Sequence, residues 1–171
     1  MHFFKSKKNI LPLYNKIILL TRENFFYKNF GLLDSFSNRI YLIFFHLSFI
    51  LIALKKKKGD KNDLQDIFDY FFKQIESNSR ELGYSDTTIN KKMNKLVKLY
   101  YDILIKCNNW KNLQIDNKNN FLLEFFSNNC DNKILAGKLV DYFDKFVYFI
   151  EDISLNSITK GVFNFDYKEY T

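Results

Sequence analysis

The chain has few residues that interrupt regular structure and few that bind metals. Its 171 residues include five glycines, one proline, two cysteines and two histidines. So few turn-forming residues argue against an all-β protein and favour long helices. The cysteines Cys107 and Cys130 form no CxxC motif, and with His2 and His46 they make no zinc-ligand pattern. We expect two reduced thiols, no metal site and no cofactor.

The sequence signatures of common enzymes are also missing. The chain has no P-loop, no GxGxxG, no HExxH and no nucleophile elbow. Asp63, Asp66 and Asp69 stand three residues apart, but acids near a helix start are favoured by the helix dipole, which explains this row without catalytic carboxylates. An enzyme that uses this row or His46 is the weakest of three hypotheses, and we expect no catalytic site.

What the chain does have is apolar and aromatic residues, 47% and 19% of the total, which excludes a disordered chain. They are densest at 40–54, where only His46 and Ser48 are clearly polar. A helix that is apolar on all sides must be covered on nearly all sides. These fifteen residues span about 22 Å as a helix, less than the ~30 Å of a bilayer core. A central core helix is therefore favoured, and contact with a membrane is the open alternative.

Apolar spacing and capping residues predict an all-α, single-domain bundle of five to six helices around the central helix at about 35–58. The core is expected over about 12–154, with an extended tail at 155–171 lying over it. The other predicted helices cover about 12–22, Asp60 to Gly83, an Asp86 or Thr87 cap to about 107, 121–126 and 133–153, with a loop at 108–120.

His46 lies inside the predicted central helix and needs a partner there. A buried polar group without a hydrogen bond loses about 1–3 kcal/mol. We expect His46 to bond a loop backbone and to hold the central helix in register.

The net charge of +7 is unevenly distributed. Residues 1–58 carry eleven Lys and Arg against Glu23 and Asp34, a net charge of +9, whereas residues 59–171 carry fifteen against seventeen, a net charge of −2. The basic and the most apolar regions therefore coincide. This combination suits anionic lipid headgroups or RNA phosphates. A solvated lysine fringe that keeps an apolar protein soluble is an equally good interpretation.

Two blocks of residues resemble the ubiquinol-cytochrome c chaperone family. The first is Phe26-Tyr27, three residues, Gly31, then Asp34-Ser35, Arg39 and a histidine, His46, in the following apolar helix. The second runs from Leu64 through Phe68-Asp69 to Arg80-Glu81-Leu82-Gly83, Asp86, Ile89 and Lys91-Lys92-Met93. Leu33 and Asn38 depart from the family pattern, which has proline and glycine there. The resemblance is good over Leu13 to Tyr101 and fainter later, where it rests on Ile158, Gly161 and Phe165.

The resemblance implies an all-helical, non-catalytic assembly chaperone. Family members bind newly made cytochrome b and hold it for haem insertion and assembly of the bc1 complex. Mitochondrial members work with a small helical partner at the ribosome. With no secretory signal and no evident transit peptide, we expect a bacterial protein on the cytoplasmic side of the inner membrane, or on the matrix side if mitochondrial. A helical RNA- or ribosome-binding module without a membrane client is the alternative, and DNA is not expected.

The family-matched positions are the candidates for binding a client or partner, or for specifying the fold. They are Phe26, Tyr27, Gly31, Asp34, Arg39, His46, Phe68, Asp69, Arg80, Glu81, Gly83, Asp86, Lys91, Lys92 and Met93. Phe26 and Tyr27 are favoured as core residues, and Gly31 and Gly83 as turn positions with positive φ. Arg80 is expected to pair with Asp34 or Asp86. The candidates for contact with lipid or RNA are Lys55, Lys56, Lys57 and Lys58.

Overall fold

The computed structural model describes residues 9–126 and 131–167. His2, Cys130 and the last four residues of the predicted tail lie outside these ranges. Within them the chain is all-helical, as predicted, with a 3-10 turn at Trp110–Asn112. The α-helices are α1 (Leu11–Thr21), α2 (Asn24–Lys28), α3 (Phe36–Lys56), α4 (Lys61–Glu81), α5 (Asp86–Asn108), α6 (Ile115–Leu123), α7 (Asn132–Asp152) and α8 (Leu155–Thr159).

Helix α3 is the predicted central helix. Every residue from Leu42 to Ile50 is buried, which means that all sides of the helix are covered. Helices α1, α4, α5, α7 and α8 pack along it, and the Phe121 ring of α6 lies 5.2 Å from that of Phe45. By length and mean hydropathy, 1.6 over its most apolar window, α3 could also cross a membrane, but 78% of that window is buried inside the protein. Its apolar residues are therefore used in the core.

Helix boundaries follow local side chains. Pro12 lies in the first turn of α1, and the side chains of Ser35, Asp60 and Asp131 accept backbone N–H bonds at the starts of α3, α4 and α7. The predicted cap of α5, Asp86 or Thr87, was wrong. Ser85 has the extended conformation and caps the helix.

The predicted loop at 108–120 was also partly wrong, because α6 begins at Ile115. The asparagine-rich sequence has weak helix propensity, but tertiary contacts hold it. Lys118 is buried, and its Nζ lies 2.7 Å from Oδ1 of Asp144 in α7 and 5.0 Å from the Trp110 ring. The Trp110 indole donates to the same oxygen at 2.7 Å. Contacts of Lys118 with α7 and with Trp110 thus hold residues 115–120 in a helix that local propensity does not predict.

The C-terminal tail is extended only in part. Ser154 caps α8, and Ile158 in this helix is fully buried. After Gly161, residues 162–166 have no regular secondary structure and lie over the bundle. Phe163 and Phe165 of this segment are buried, and the Phe165 ring lies 5.3 Å from that of Phe146 in α7.

Gly161 marks a close approach between the end of α8 and the start of α1. Its φ is +64°, and a Cβ atom there would lie 2.6 Å from the carbonyl carbon of Pro12 and 2.7 Å from the nitrogen of Leu13. These are backbone atoms of a packed helix, and they cannot move far enough to make room for a Cβ atom. Only glycine lets the tail turn back over the bundle at this point.

Substituting Gly161→Ala is expected to lower the free energy of unfolding by about 3 kcal/mol or more, because steric overlap adds to the left-handed backbone strain. Two matched variants separate these effects. Gly83 has φ +81° and open space around it, so Gly83→Ala should lose only about 1–2 kcal/mol. Gly137 is helical with open space, so Gly137→Ala should gain about 0.5–1 kcal/mol. Urea unfolding of the three variants measures the order, and equal losses at Gly161 and Gly83 would contradict the close approach.

Candidate binding groove

An open groove of about 510 Å³ lies between the end of α3, the start of α4 and the end of α5. Its apolar lining includes Leu51 and Ile52 of α3, Leu64 and Phe68 of α4, and Leu104 of α5. This volume falls in the range of ligand sites in proteins, about 300–1,000 Å³. The groove is thus an apolar surface that the bundle itself does not cover.

An aromatic layer forms part of the groove wall and its floor. The Phe68 ring lies 4.5 Å from Phe72, 5.4 Å from Tyr100 and 5.7 Å from Tyr101. Tyr100 is fully buried, whereas Tyr101 is 46% exposed and Ile105, one turn further along α5, is 69% exposed. The buried rings of Phe72 and Tyr100 thus support Phe68 in the groove lining, and Tyr101 and Ile105 remain accessible.

The groove carries positive charge at its rim. Lys55 at the end of α3 and Lys61 at the start of α4 both line it, together with Gln65 and Asn108. No carboxylate is among the described residues that line the groove. The groove is therefore suited to bind apolar side chains of a partner that carries an electron-rich or anionic group beside them, next to the two lysines.

Sequence periodicity predicted several of these residues as core. The helical spacing of apolar residues predicts that Leu64 and Phe68 of α4 and Leu104 of α5 face the core, yet they are only partly buried. Tyr101 and Ile105 were missed. A signal was present in the adjacent pairs Tyr100-Tyr101 and Leu104-Ile105, because two neighbouring residues of a helix cannot both point to the same core.

The four lysines at the end of α3, Lys55 to Lys58, separate into two kinds. Lys56 Nζ lies 2.9 Å from Oε1 of Glu151 in α7, and Lys57 Nζ donates to the Glu151 carbonyl at 2.6 Å. Partial burial raises the pKa of Glu151, but the bonds from Lys111 and Lys56 outweigh it and hold that pKa below its ordinary value. Lys55 lines the groove, and Lys58 is exposed with φ +60°. Contact of this cluster with lipid or RNA stays a prediction, and two of its members fasten α3 to α7.

The first family block forms the packing beside the start of α3. Phe26 is buried, with its ring 4.8 Å from that of Tyr142, and the Tyr27 hydroxyl donates to the Thr21 carbonyl at 2.7 Å. Gly31 has φ +80°, as predicted. Asp34 and Arg39 form an exposed two-bond ion pair at 2.6 and 2.8 Å. These residues hold the approach to α3, and Asp34 is bound to Arg39 rather than to Arg80.

His46 is fully buried and joins α3 to α7. Its Nδ1 lies 2.7 Å from the Leu42 carbonyl oxygen and its Nε2 lies 2.7 Å from the Tyr142 hydroxyl. A carbonyl cannot donate, so Nδ1 carries the proton, and Tyr142 donates to Nε2. The partner is thus a side chain of α7, whereas a loop backbone was expected. Burial, opposed by the Leu42 bond, lowers the pKa of His46 to about 4, and the ring is neutral.

The second family block lies mainly at the turn between α4 and α5. Arg80 binds Glu76 at 2.7 Å and Asp86, one of its two predicted partners. Glu81 and Lys91 are exposed, Lys92 Nζ lies 3.5 Å from the Tyr84 ring centre, and Met93 packs partly against the core. Gly83 has φ +81° as predicted. Asp69 accepts a 2.8 Å bond from Gln65, and Leu64 and Phe68 of this block line the groove.

Within residues 9–126 and 131–167, no three His, Cys, Asp or Glu side chains are grouped so that they could hold a metal ion. Cys107 is a buried free thiol, and burial raises its pKa well above the ordinary value. The thiol is therefore protonated and is not a nucleophile in this state.

Comparison with known proteins assigns the family. The sequence model described as ubiquinol-cytochrome C chaperone matches residues 28–165. The chain belongs to the ubiquinol-cytochrome c chaperone family. The match begins just after Phe26-Tyr27 and continues through the C-terminal half, where the resemblance seen in the sequence is faint. No curated protein sequence is significantly similar.

The fold is shared with a solved structure, the crystal structure of the Cbp3 homolog from Brucella abortus. The two chains are 24% identical, the alignment covers 95% of this chain and 92% of that one, and the TM-score is 0.77. The ubiquinol-cytochrome c chaperone fold therefore extends over the bundle described above, including α8.

The His46–Tyr142 pair predicts a pH dependence of stability. Because the folded pKa of His46 is about 4 and the unfolded value is 6.5, the unfolded chain binds more protons between these values. The contribution of neutral His46 is complete above about pH 6.5 and is lost as the pH falls toward 4. Between about pH 7.5 and pH 5, above the range in which carboxylates titrate, this amounts to about 2 kcal/mol.

Urea unfolding at these two pH values measures the effect. The matched variant is His46→Asn with Tyr142→Phe, which keeps an N–H donor for the Leu42 carbonyl and removes both the titrating ring and its donor. Its stability should change little over the same interval. An equal loss in wild type and variant would contradict the assignment, and NMR titration of the His46 ring reports its pKa directly.

Proposed function

We propose that this chaperone binds newly made cytochrome b and promotes assembly of the ubiquinol-cytochrome c reductase (bc1) complex. The observation that carries the proposal is the apolar groove of about 510 Å³ between α3, α4 and α5. An unassembled membrane protein exposes apolar helix faces, and laying such a face into a groove is an established mode of recognition. Family membership supports the class of function, and the choice of client is inferred.

The chemistry of the groove supports reversible holding. Leu51, Leu64 and Leu104 offer aliphatic surface, and Tyr101 and Ile105 remain accessible on one side. Lys55 and Lys61 at the rim favour the carbonyl end of a docked helix or an acidic side chain beside it. We infer a role that uses binding alone, without catalysis and without a resident cofactor.

The proposed location is the cytoplasmic side of the inner membrane, or the matrix side in a mitochondrion, because a client in the membrane must be reached from the side on which it is made. A ribosome contact and a small helical partner stay predictions. The alternative, an RNA-binding module without a membrane client, assigned RNA contact to Lys55–Lys58. Two of these lysines are bound to Glu151, so the cluster offers less free charge than the sequence suggested.

Placing a charge in the groove tests the proposal. Ile105 in the groove and Ile134 on α7 are exposed to a similar degree, 69% and 57%, and Ile134 does not line the groove. Ile105→Asp should reduce the recovery of cytochrome b by about tenfold or more, because a buried apolar contact is replaced by a desolvated charge. Ile134→Asp is the matched control and should recover the wild-type amount.

The measurement is affinity purification from native membranes, with cytochrome b quantified by mass spectrometry after thermal melting has shown that both variants are folded. Recovery of ribosomal proteins without cytochrome b would favour the RNA-binding alternative. Equal recovery of cytochrome b by wild type and Ile105→Asp would show that the client binds elsewhere.

A further inference from the structure

The hairpin of α4 and α5 carries a row of lysines without partners. Lys91, Lys95 and Lys98 are all exposed, and among the residues that the structure describes no carboxylate pairs with them. Their spacing of four and three residues places them on one face of α5. The opposite face carries Ile89, Tyr100 and Ile103, which are buried. The row is therefore directed away from the protein.

Apolar side chains adjoin this row at the end of the hairpin. In the turn between α4 and α5, Leu82 is 67% exposed and Tyr84 is 44% exposed. Lys92 Nζ lies 3.5 Å from the centre of the Tyr84 ring, which links the turn to the lysine-bearing helix. We call the turn and the lysine row together the hairpin tip, residues 80–98.

The acids of the hairpin tip do not cancel its charge. Residues 80–98 hold five cations against Glu81 and Asp86, a net charge of +3. Asp86 and the neighbouring Glu76 both bind Arg80, which leaves this group of three with a net charge of −1 against the four lysines of residues 91–98. Lys91, Lys95 and Lys98 therefore keep a positive field on this face of α5.

We propose that the hairpin tip docks on the surface of an anionic lipid bilayer, with Leu82 and Tyr84 entering the interface and Lys91, Lys95 and Lys98 contacting headgroups. Charge complementarity selects an anionic surface. Leu82 selects lipid over RNA, because a membrane interface removes an exposed leucine from water and an RNA backbone does not. Tyrosine is suited to the same interface, where its ring is apolar and its hydroxyl is hydrated.

The turn of the hairpin tip is distant from the groove, whereas Lys98 lies three residues before Tyr101 of the groove wall. Fourteen residues of α4 separate Phe68 in the groove from Leu82 in the turn, which corresponds to about 21 Å along the helix. Lipid contact through Leu82 and Tyr84 therefore takes place at the end of the hairpin opposite to the groove. The proposal does not depend on the identity of the client, and it assigns lipid contact to a surface other than Lys55–Lys58.

Vesicle co-sedimentation of the purified full chain tests this surface. The probes are phosphatidylcholine vesicles with and without phosphatidylglycerol. Wild type should bind the anionic vesicles, and Lys91→Gln with Lys95→Gln and Lys98→Gln should weaken binding by roughly 100-fold, since each lysine at an anionic surface contributes about fivefold. Leu82→Ser should weaken binding by about tenfold. All four positions are exposed, so thermal melting should show folded variants.

The matched control is Lys28→Gln with Lys133→Gln and Lys160→Gln, which removes three exposed charges elsewhere. Control binding within about threefold of wild type supports a local surface, whereas a loss equal to that of the hairpin variant overturns it in favour of net charge alone. Absence of wild-type binding to anionic vesicles also overturns it. Binding of RNA that depends on the same lysines, with no effect of Leu82→Ser in either assay, would make the hairpin tip an RNA surface and reject the lipid assignment.

Discussion

Complete burial of the middle of α3 is the constraint on which the rest of this structure depends. Nine consecutive residues, 42–50, have no exposed side, so α1, α4, α5, α7 and α8 must each cover part of one helix. A two-layer arrangement would leave apolar surface in water, at about 25 cal/mol for each Å². The cover is complete along the middle of α3 and incomplete at its end, where Leu51 and Ile52 face the groove. The groove is thus the place where apolar residues of α3 are left uncovered by the other helices.

Polar groups decide how the apolar layers align. His46 and Tyr142 form the one connection between α3 and α7 in which both partners are fully buried polar side chains within the described residues, and apolar contacts alone would tolerate a shift along the helix. At the end of α3, Lys56 and Lys57 bind Glu151 and fix the same pair of helices a second time. With α3 held at two points, α4 and α5 can present a groove at one end and a charged turn at the other.

Much of the fold was predictable because it is local. Four features are local: the apolar run at 40–54, the proline of α1, the acids at the start of α4 and the positive φ of Gly83. Each depends only on residues that are close to it in the sequence. Predictions failed where a distant contact decided the outcome. In α6, Lys118 contacts Asp144 of α7, and in α8, Ile158 is buried in the core; neither contact can be read from the local sequence. The binding surface was harder, since periodicity marks Leu64 and Leu104 as apolar without showing that part of their cover is absent.

The sequence by itself determined the all-helical class, the central helix and, through two blocks of residues, the chaperone family. These properties depend on side-chain pattern along the chain, which folding does not change. Only the tertiary structure decided which apolar residues remain uncovered and which lysines remain unpaired. Lys56 and Lys57 meet a carboxylate residue 95 and 94 positions away, whereas Lys91, Lys95 and Lys98 meet none among the described residues. Whether a charge or an apolar group is available to a partner depends on neighbours that are close in space and far apart in the sequence.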